Sequence, residues 1–287
     1  MSNGELPRFL QLSSALHEFV TVEGTQAQQH IRPLHQHLTV RLVLEGGFDP
    51  DEITPHPPLR IETKGARRLL TFIPEAEDAA EQTLLGGLKS KAVDVVVMKE
   101  GIGPVLAISV KGTGNAFRNL TNRMEEAIGD STNLHIMYPG LVYGFLHFLK
   151  ANREAEGEFA PNDIALMASG EPVNAIRRYH DVLLGLAGRR LVRDDYTRYE
   201  AVGLAMVVPR GETRNQLFAG FPPSDSPLRF TRFFETLYSA YDLRYAYTAP
   251  SLTKLRRHEW DANSPVLLSI TSSDELSERL GYSIRIA

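Results

Sequence analysis

Asp94 is the lone acid in an apolar run, AVDVVVM, and Lys111 closes the next such run, ISVKG. A carboxylate inside an apolar strand is costly unless it is paired, hydrogen-bonded or bound to a metal. The segment between the runs, KEGIGP, carries the glycines and proline of a hairpin connection. Pairing across that hairpin brings the end of the second strand, and Lys111 with it, near Asp94. Fourteen residues after Lys111, in a segment with helical periodicity, stands Glu125. Glu126 is of the same type but points about 100° away around a helix. A strand acid, a strand lysine and a helix acid around one hairpin can hold Mg²⁺ beside a phosphate. Oxygen ligands suit Mg²⁺, which shares its shell with water and substrate phosphate. The ion activates water and neutralises charge on phosphorus, while the lysine adds a cation at the attacking oxygen. The competing reading is an edge-strand acid and a solvated strand end.

Positioning these residues requires a sheet and flanking helices. A short amphipathic piece is expected at 13–20. Ile31, Leu34, Leu38 and Leu42 recur at helical spacing from about residue 26, and Gly46-Gly47 stop that helix. The stretch 49–58 (DPDEITPHPP) is turn chemistry. A short strand is expected at 69–73, a helix over the acidic, Ala-rich 75–85, and strands at 93–98 and 105–110. A Gly-rich turn (GTGN) then leads into a helix over 117–129, with Leu120, Met124 and Ile128 on one stripe. Beyond it come a strand at 141–149, a helix at 173–186, a strand at 201–208 and a helix at 230–241. Strands at 266–270 and 283–286 close the chain. This order reads as α/β or α+β. With no shift in composition to mark a boundary, 1–287 is expected to be a single domain.

Composition bounds the class. Hydrophobic residues make up 43% and charged residues 23%, which excludes disordered, collagenous and coiled-coil chains. The absence of cysteine removes disulfides, thiolate zinc sites and cysteine nucleophiles together. A balance of 31 basic against 35 acidic residues argues against a protein that coats polyanions non-specifically. It leaves room for one whose cations line a single cleft. The start MSNGELPRFLQ has no secretory pattern, and no stretch approaches the roughly 20 apolar residues of a membrane span. A soluble, cytoplasmic protein is expected.

At Asp94, Ser109-Val110-Lys111 and Glu125 the chain resembles the PD-(D/E)xK nuclease superfamily. In the usual motif the second acid sits two residues before the lysine, where this chain has Ser109. The resemblance is narrower to type II restriction endonucleases that read a CCGG core, which have serine there and take the acid from the next helix. It covers roughly residues 27–150 and departs in having Val93 where a proline precedes the acid. The interval from Asp94 to Ser109 is also shorter than in that branch. The resemblance implies a restriction-endonuclease-like core, a mixed central sheet flanked by helices, with 151–287 an elaboration for DNA recognition or dimerisation. It implies Asp94 and Glu125 as Mg²⁺ ligands and Lys111 as the catalytic lysine. An acid from an earlier helix often completes such sites; Glu45 is the candidate for a second ion, and its other reading is an exposed helix end. Glu18 and Glu23 are weaker candidates. In that branch arginines between the lysine and the helix acid read bases; here the stretch offers Asn115 and Arg118. Asparagine pairs with adenine and arginine with guanine in the major groove, so a CCGG target is not expected. Arg123 is read as meeting phosphate or solvent. The implied protein cuts double-stranded DNA as a homodimer, two-fold symmetry matching a palindromic site. Its rivals are a repair or recombination nuclease of the same fold, and a DNA-binding protein that has lost its chemistry.

Other groups are read as structural. Gly87-Leu88-Lys89-Ser90 lacks the glycine and preceding strand of a phosphate loop. The offsets of His30, His35 and His37 do not share a helix face, so solvated histidines are expected rather than a metal cluster. The pairs Arg177-Arg178 and Arg189-Arg190 are read as solvated helix faces.

Overall fold

The computed structural model describes residues 6–22, 30–78, 80–115, 117–193, 195–247 and 251–287. Its centre is a five-stranded mixed sheet. The β-branched runs expected as strands form β6 (Val95–Lys99) and β7 (Gly103–Thr113), an antiparallel hairpin. Gly101 and Gly103 turn it at φ of +74° and +100°, a region that side chains resist. The two-residue β1 (Ile53–Thr54) pairs with β6 on its outer side. On the other side of β7, β8 (Val142–Lys150) and β9 (Ala201–Val207) follow in parallel. A parallel neighbour needs a crossover, and α3 (Leu120–Met137) and α4 (Asn174–Leu186) supply one each.

Strand alternation sends successive side chains to opposite faces. Val95, Val97, Ile108, Leu146 and Phe148 pack with α2 (Arg32–Leu44) and α5 (Phe230–Tyr241). Val96, Ala107, Tyr143, Phe145 and Val202 pack with α3 and α4. The result is a sheet between two helical layers, the α/β architecture expected. Residues beyond 151 contribute β9, α4 and α5 to the same sheet and layers.

Residues 75–85, 266–270 and 283–286 depart from the sequence reading, whereas the strand expected at 69–73 is present. Residues 75–85 form no helix: a 3-10 turn, Pro74–Ala76, precedes β4 (Gln82–Leu85), which pairs with β5 (Ser90–Val93). The expected strand at 69–73 is one arm of a hairpin, β2 (Leu59–Lys64) with β3 (Arg67–Phe72). The expected strand at 266–270 is helix α6 (Pro265–Thr271), with Pro at its first position, and at 283–286 there is only a bridge from Ile286 to Trp260.

Helix α2 is held at both ends. Near its start α1 (Leu12–Thr21) packs on it, and His37 Nδ1 meets the Phe9 carbonyl at 2.8 Å. At its far end the Trp260 indole N–H donates to the Val43 carbonyl at 2.8 Å. The amides of Arg285 and His258 donate to the carbonyls of Leu44 and Gly47 at 2.9 and 2.7 Å. Among the described residues no helix is long and apolar enough to cross a membrane.

Candidate active site

Asp94 lies at the bend between β5 and β6, where the β6–β7 ladder ends at Val95 and Ile108. The Val110 amide, beyond the end of that ladder, donates to Asp94 Oδ2 at 2.7 Å. That bond fixes the carboxylate and leaves Oδ1 facing α2, 3.7 Å from His35 Nε2. Glu81, just before β4, completes a group whose ligand atoms all lie within 4.8 Å of one another. His35 is 3% exposed, and its Nε2 has no hydrogen-bond partner. Burial drives the His35 pKa down to about 4, so the imidazole is neutral at neutral pH with a lone pair to give. Burial also raises the Asp94 carboxyl, against the pull of Lys111 and the Val110 amide. A buried imidazole nitrogen without a partner beside two carboxylates fits a divalent cation by charge and by donor chemistry.

Lys111 leaves β7 on the α3 side. Its Nζ lies 3.3 Å from Glu126 Oε1. Glu126 also accepts from Arg123 Nη1 at 2.8 Å. Burial pulls the Glu126 carboxyl up, but Lys111 and then Arg123 outweigh it and hold it below the usual carboxylate range. Beside this pair, Lys91 from β5 binds Asp130 Oδ2 at 2.6 Å. Two cations, Lys111 and Lys91, and the Asp130 carboxylate thus act on Asp94. Gly112, the next residue of β7, has no room for a side chain: a Cβ there would lie 2.7 Å from Phe19 and 2.8 Å from Ile31.

The structure brings Asp94 and Lys111 together but not the expected helix acid. Glu125 is exposed, and Glu126 takes the place beside the lysine. The reason is the phase of α3. Its buried stripe is Leu120, Ala127, Ser131 and Leu134, whereas Ile128, expected on that stripe, is 37% exposed. Arg123, Glu126 and Asp130 therefore flank the sheet-facing side. Glu45 is also not at the site. It caps the far end of α2, about 15 Å along the helix axis from His35 at 1.5 Å per residue. There it binds Arg41 Nε at 2.6 Å and accepts from Tyr238 Oη at 3.2 Å. Ser109 is buried, its Oγ 2.7 Å from Tyr143 Oη, and touches no candidate ligand. Asn115 and Arg118 are exposed beyond the end of β7, and Arg123 faces Glu126. Glu18 lies on α1, and Glu23 lies outside the described residues.

Two other readings need correction. His30, His35 and His37 are all buried rather than solvated. Arg189 is no solvated face either: it is buried against Glu200 at 2.7 Å, with Arg244 on the same carboxylate oxygen at 2.5 Å. A cavity of about 840 Å³ lies over that cluster, where β8 and β9 begin, and none of the metal-site residues lines it. His35, Glu81, Lys91 and Glu126 were missed as site residues. The stripe Leu120, Ala127, Leu134, at spacing seven, was the available signal for Glu126; nothing in the sequence ties His35 to Glu81. Protein-family models, curated proteins and solved structures contain no match to this chain.

Proposed function

We propose that the chain is a divalent-metal-dependent nuclease that hydrolyses phosphodiester bonds in DNA. One observation carries the reading. A buried, partnerless imidazole nitrogen converges with two carboxylates, one strand away from a lysine held by a helix acid. The mixed central sheet flanked by helices is of the kind that the sequence resemblance implies. His35, Glu81 and Asp94 would hold the ion. When bound, the ion supplies an acidic water and neutralises charge on the phosphate. Mg²⁺ is the ion the sequence suggests, and the imidazole also admits Mn²⁺.

The protein groups have distinct tasks. The Val110 amide orients Asp94, so the carboxylate needs no reorganisation when it is used. The Lys111 ammonium is aimed by Glu126 and can donate to a phosphate oxygen or to the attacking water. Glu126, ionised at neutral pH, is the acid this site offers in place of the one that Ser109 lacks. His147, opposite Lys111 on β8, is buried between Thr113 and Tyr179 and supports β7 from below.

Within this class we favour a type II restriction endonuclease acting on double-stranded DNA as a homodimer. The helices and loops beyond residue 151 offer surface for reading sequence, and a two-fold dimer would present two sites to two strands. The test is digestion of long DNA of known sequence with Mg²⁺ or Mn²⁺, with EDTA as control, followed by mapping of the ends. Discrete fragments that vanish with EDTA and with Asp94→Asn are expected. An unfragmented smear would leave a nuclease but remove the restriction reading. Intact DNA under every divalent ion would overturn both.

A further inference from the structure

Lys91 is a second ammonium at the pair formed by Lys111 and Glu126. It lies on β5, opposite Leu84 of β4 and three residues before Asp94, and its side chain is 17% exposed. Its Nζ is 2.6 Å from Asp130 Oδ2 and 4.0 Å from Glu126 Oε1. The same Glu126 oxygen lies 3.3 Å from Lys111 Nζ. One carboxylate oxygen therefore tethers both ammonium groups. An ammonium has three N–H donors. Among the described residues only Asp130 is within hydrogen-bonding reach of Lys91, so two donors have no protein acceptor. The bland role for Lys91 is to neutralise Asp130, which is 4% exposed. That role uses one donor of the three. Lys91 also lies within electrostatic reach of the proposed metal ligands, since it and Lys111 both pull the Asp94 carboxyl down against burial.

We propose that Lys91 is the general acid of the reaction, giving a proton to the sugar oxygen that leaves phosphorus while Lys111 serves the side of the attacking water. The proposal rests on the nuclease reading above and assigns the second proton transfer of that site. A water oxygen bonds to phosphorus and its proton passes to solvent. The bond from phosphorus to the leaving sugar oxygen breaks, and the electron pair left on that oxygen takes a proton from Lys91. The neutral amine is recharged from solvent. One water is consumed, and one phosphate monoester and one hydroxyl are formed. Two lysines tethered to a single carboxylate oxygen suit this division of labour. In-line displacement puts the entering and leaving oxygens on opposite sides of one phosphorus atom, a few ångströms apart. Asp130 holds Lys91 in place beforehand, so little freedom is lost when the substrate arrives.

The experiment measures single-turnover cleavage, in Mn²⁺, of a short duplex with either oxygen or sulfur as the leaving atom at one cleaved position. End-group analysis of the ordinary products shows which sugar oxygen leaves. A thiolate departs without a proton, thiols ionising near about pH 8.5, whereas an alkoxide needs one. The Lys91→Met, Asp130→Asn double variant removes both partners, so no buried charge is left unpaired and the melting temperature should stay near that of wild type. It should be slower than wild type by about a hundredfold or more on the oxygen substrate, and within about threefold on the sulfur substrate. Lys91→Arg keeps the charge and the pairing with Asp130, but a guanidinium does not give up its proton. It should show the same pattern, and it carries the comparison alone if the double variant does not fold. Recovery of the oxygen substrate by arginine, or equal slowing on both substrates in a folded protein, would overturn the general acid. Wild-type rates in the double variant would reduce Lys91 to the counter-ion of Asp130 and leave the nuclease reading standing. A wild-type protein that cuts no DNA would overturn the nuclease reading, and this proposal with it.

Discussion

Asp94→Asn should raise thermal stability in EDTA and lower it, relative to wild type, in a divalent metal. Asparagine keeps the size of the side chain, and its amide oxygen can still accept from the Val110 amide at the 2.7 Å position. What it removes is a buried negative charge whose desolvation is only partly offset by Lys111 and Lys91. Relief of that kind is worth about 1 kcal/mol. For 287 residues at about 2.1 cal/mol/K each, the unfolding entropy is about 0.6 kcal/mol/K, so the variant should melt about 2 °C higher. Metal reverses the order. At a concentration one hundred times its Kd, an ion bound only by the folded state adds about 2.7 kcal/mol, or about 4.5 °C. Loss of one ligand of the three that weakens binding tenfold or more cuts that gain to about 1.4 kcal/mol or less. Differential scanning calorimetry with EDTA and with Mn²⁺ measures all four transitions without any substrate. Equal metal-induced shifts in both proteins would refute the assignment of Asp94 as a ligand. A variant less stable than wild type in EDTA would refute the claim that its charge is a burden there.

Glu126→Gln should lower DNA cleavage about a hundredfold or more, whereas Glu125→Gln should stay within about twofold, because only Glu126 reaches Lys111; initial rates on plasmid decide, and the reverse order would return the role to Glu125. Glu45→Gln should leave cleavage unchanged but lower the denaturation midpoint, since its carboxylate serves Arg41 and Tyr238; lost activity in a folded variant would restore it to the site. His37 is held down to about 3 by burial and then by Arg41. The unfolded chain takes up this proton below about pH 6.5, so stability falls as pH drops from there toward 3, His37 accounting for about 2 kcal/mol between pH 7 and pH 5. Urea midpoints of His37→Phe at those two values should diverge less than those of wild type. Glu200→Gln should cost about 3–5 kcal/mol, because two buried guanidiniums lose their shared anion. The Glu200 carboxyl is lowered to about 2 despite its burial, by His135 and then Arg244, so its contribution is present above pH 4.5 and lost as pH falls toward 2. A Glu200→Gln protein as stable as wild type at pH 7 would contradict this.

The central sheet was legible because its strands are apolar on both faces, as buried strands must be. The runs at β6, β7, β8 and β9 differ from everything around them, and the aromatic stripe of α5 has strict helical spacing. The β4–β5 hairpin was not legible. Its acidic, Ala-rich approach has helical propensity, and the pairing that overrides it is made with residues after the turn at Gly86 and Gly87, which Asn133 of α3 caps. That error hid Glu81 and Lys91. The phase of α3 was misread by a small rotation: Leu120 and Met124 do pack against the sheet-side cluster, but Ala127 rather than Ile128 continues the buried side. His35 was visible as a histidine but not as a ligand, since its partners are 46 and 59 residues away. Tertiary contact alone brings them together.

The clasp on the far end of α2 has a consequence for when the protein becomes competent. Val43, Leu44 and Gly47 receive their hydrogen bonds from residues 258–285, while His35 rides on the other end of the same helix. During synthesis, Asp94 and Lys111 leave the ribosome long before the residues that seat α2. A growing chain therefore carries the carboxylates and the lysine without a fixed imidazole, and the site matures only when the clasp closes. In the nuclease proposed, a half-made copy would lack one of the three ligands of the ion.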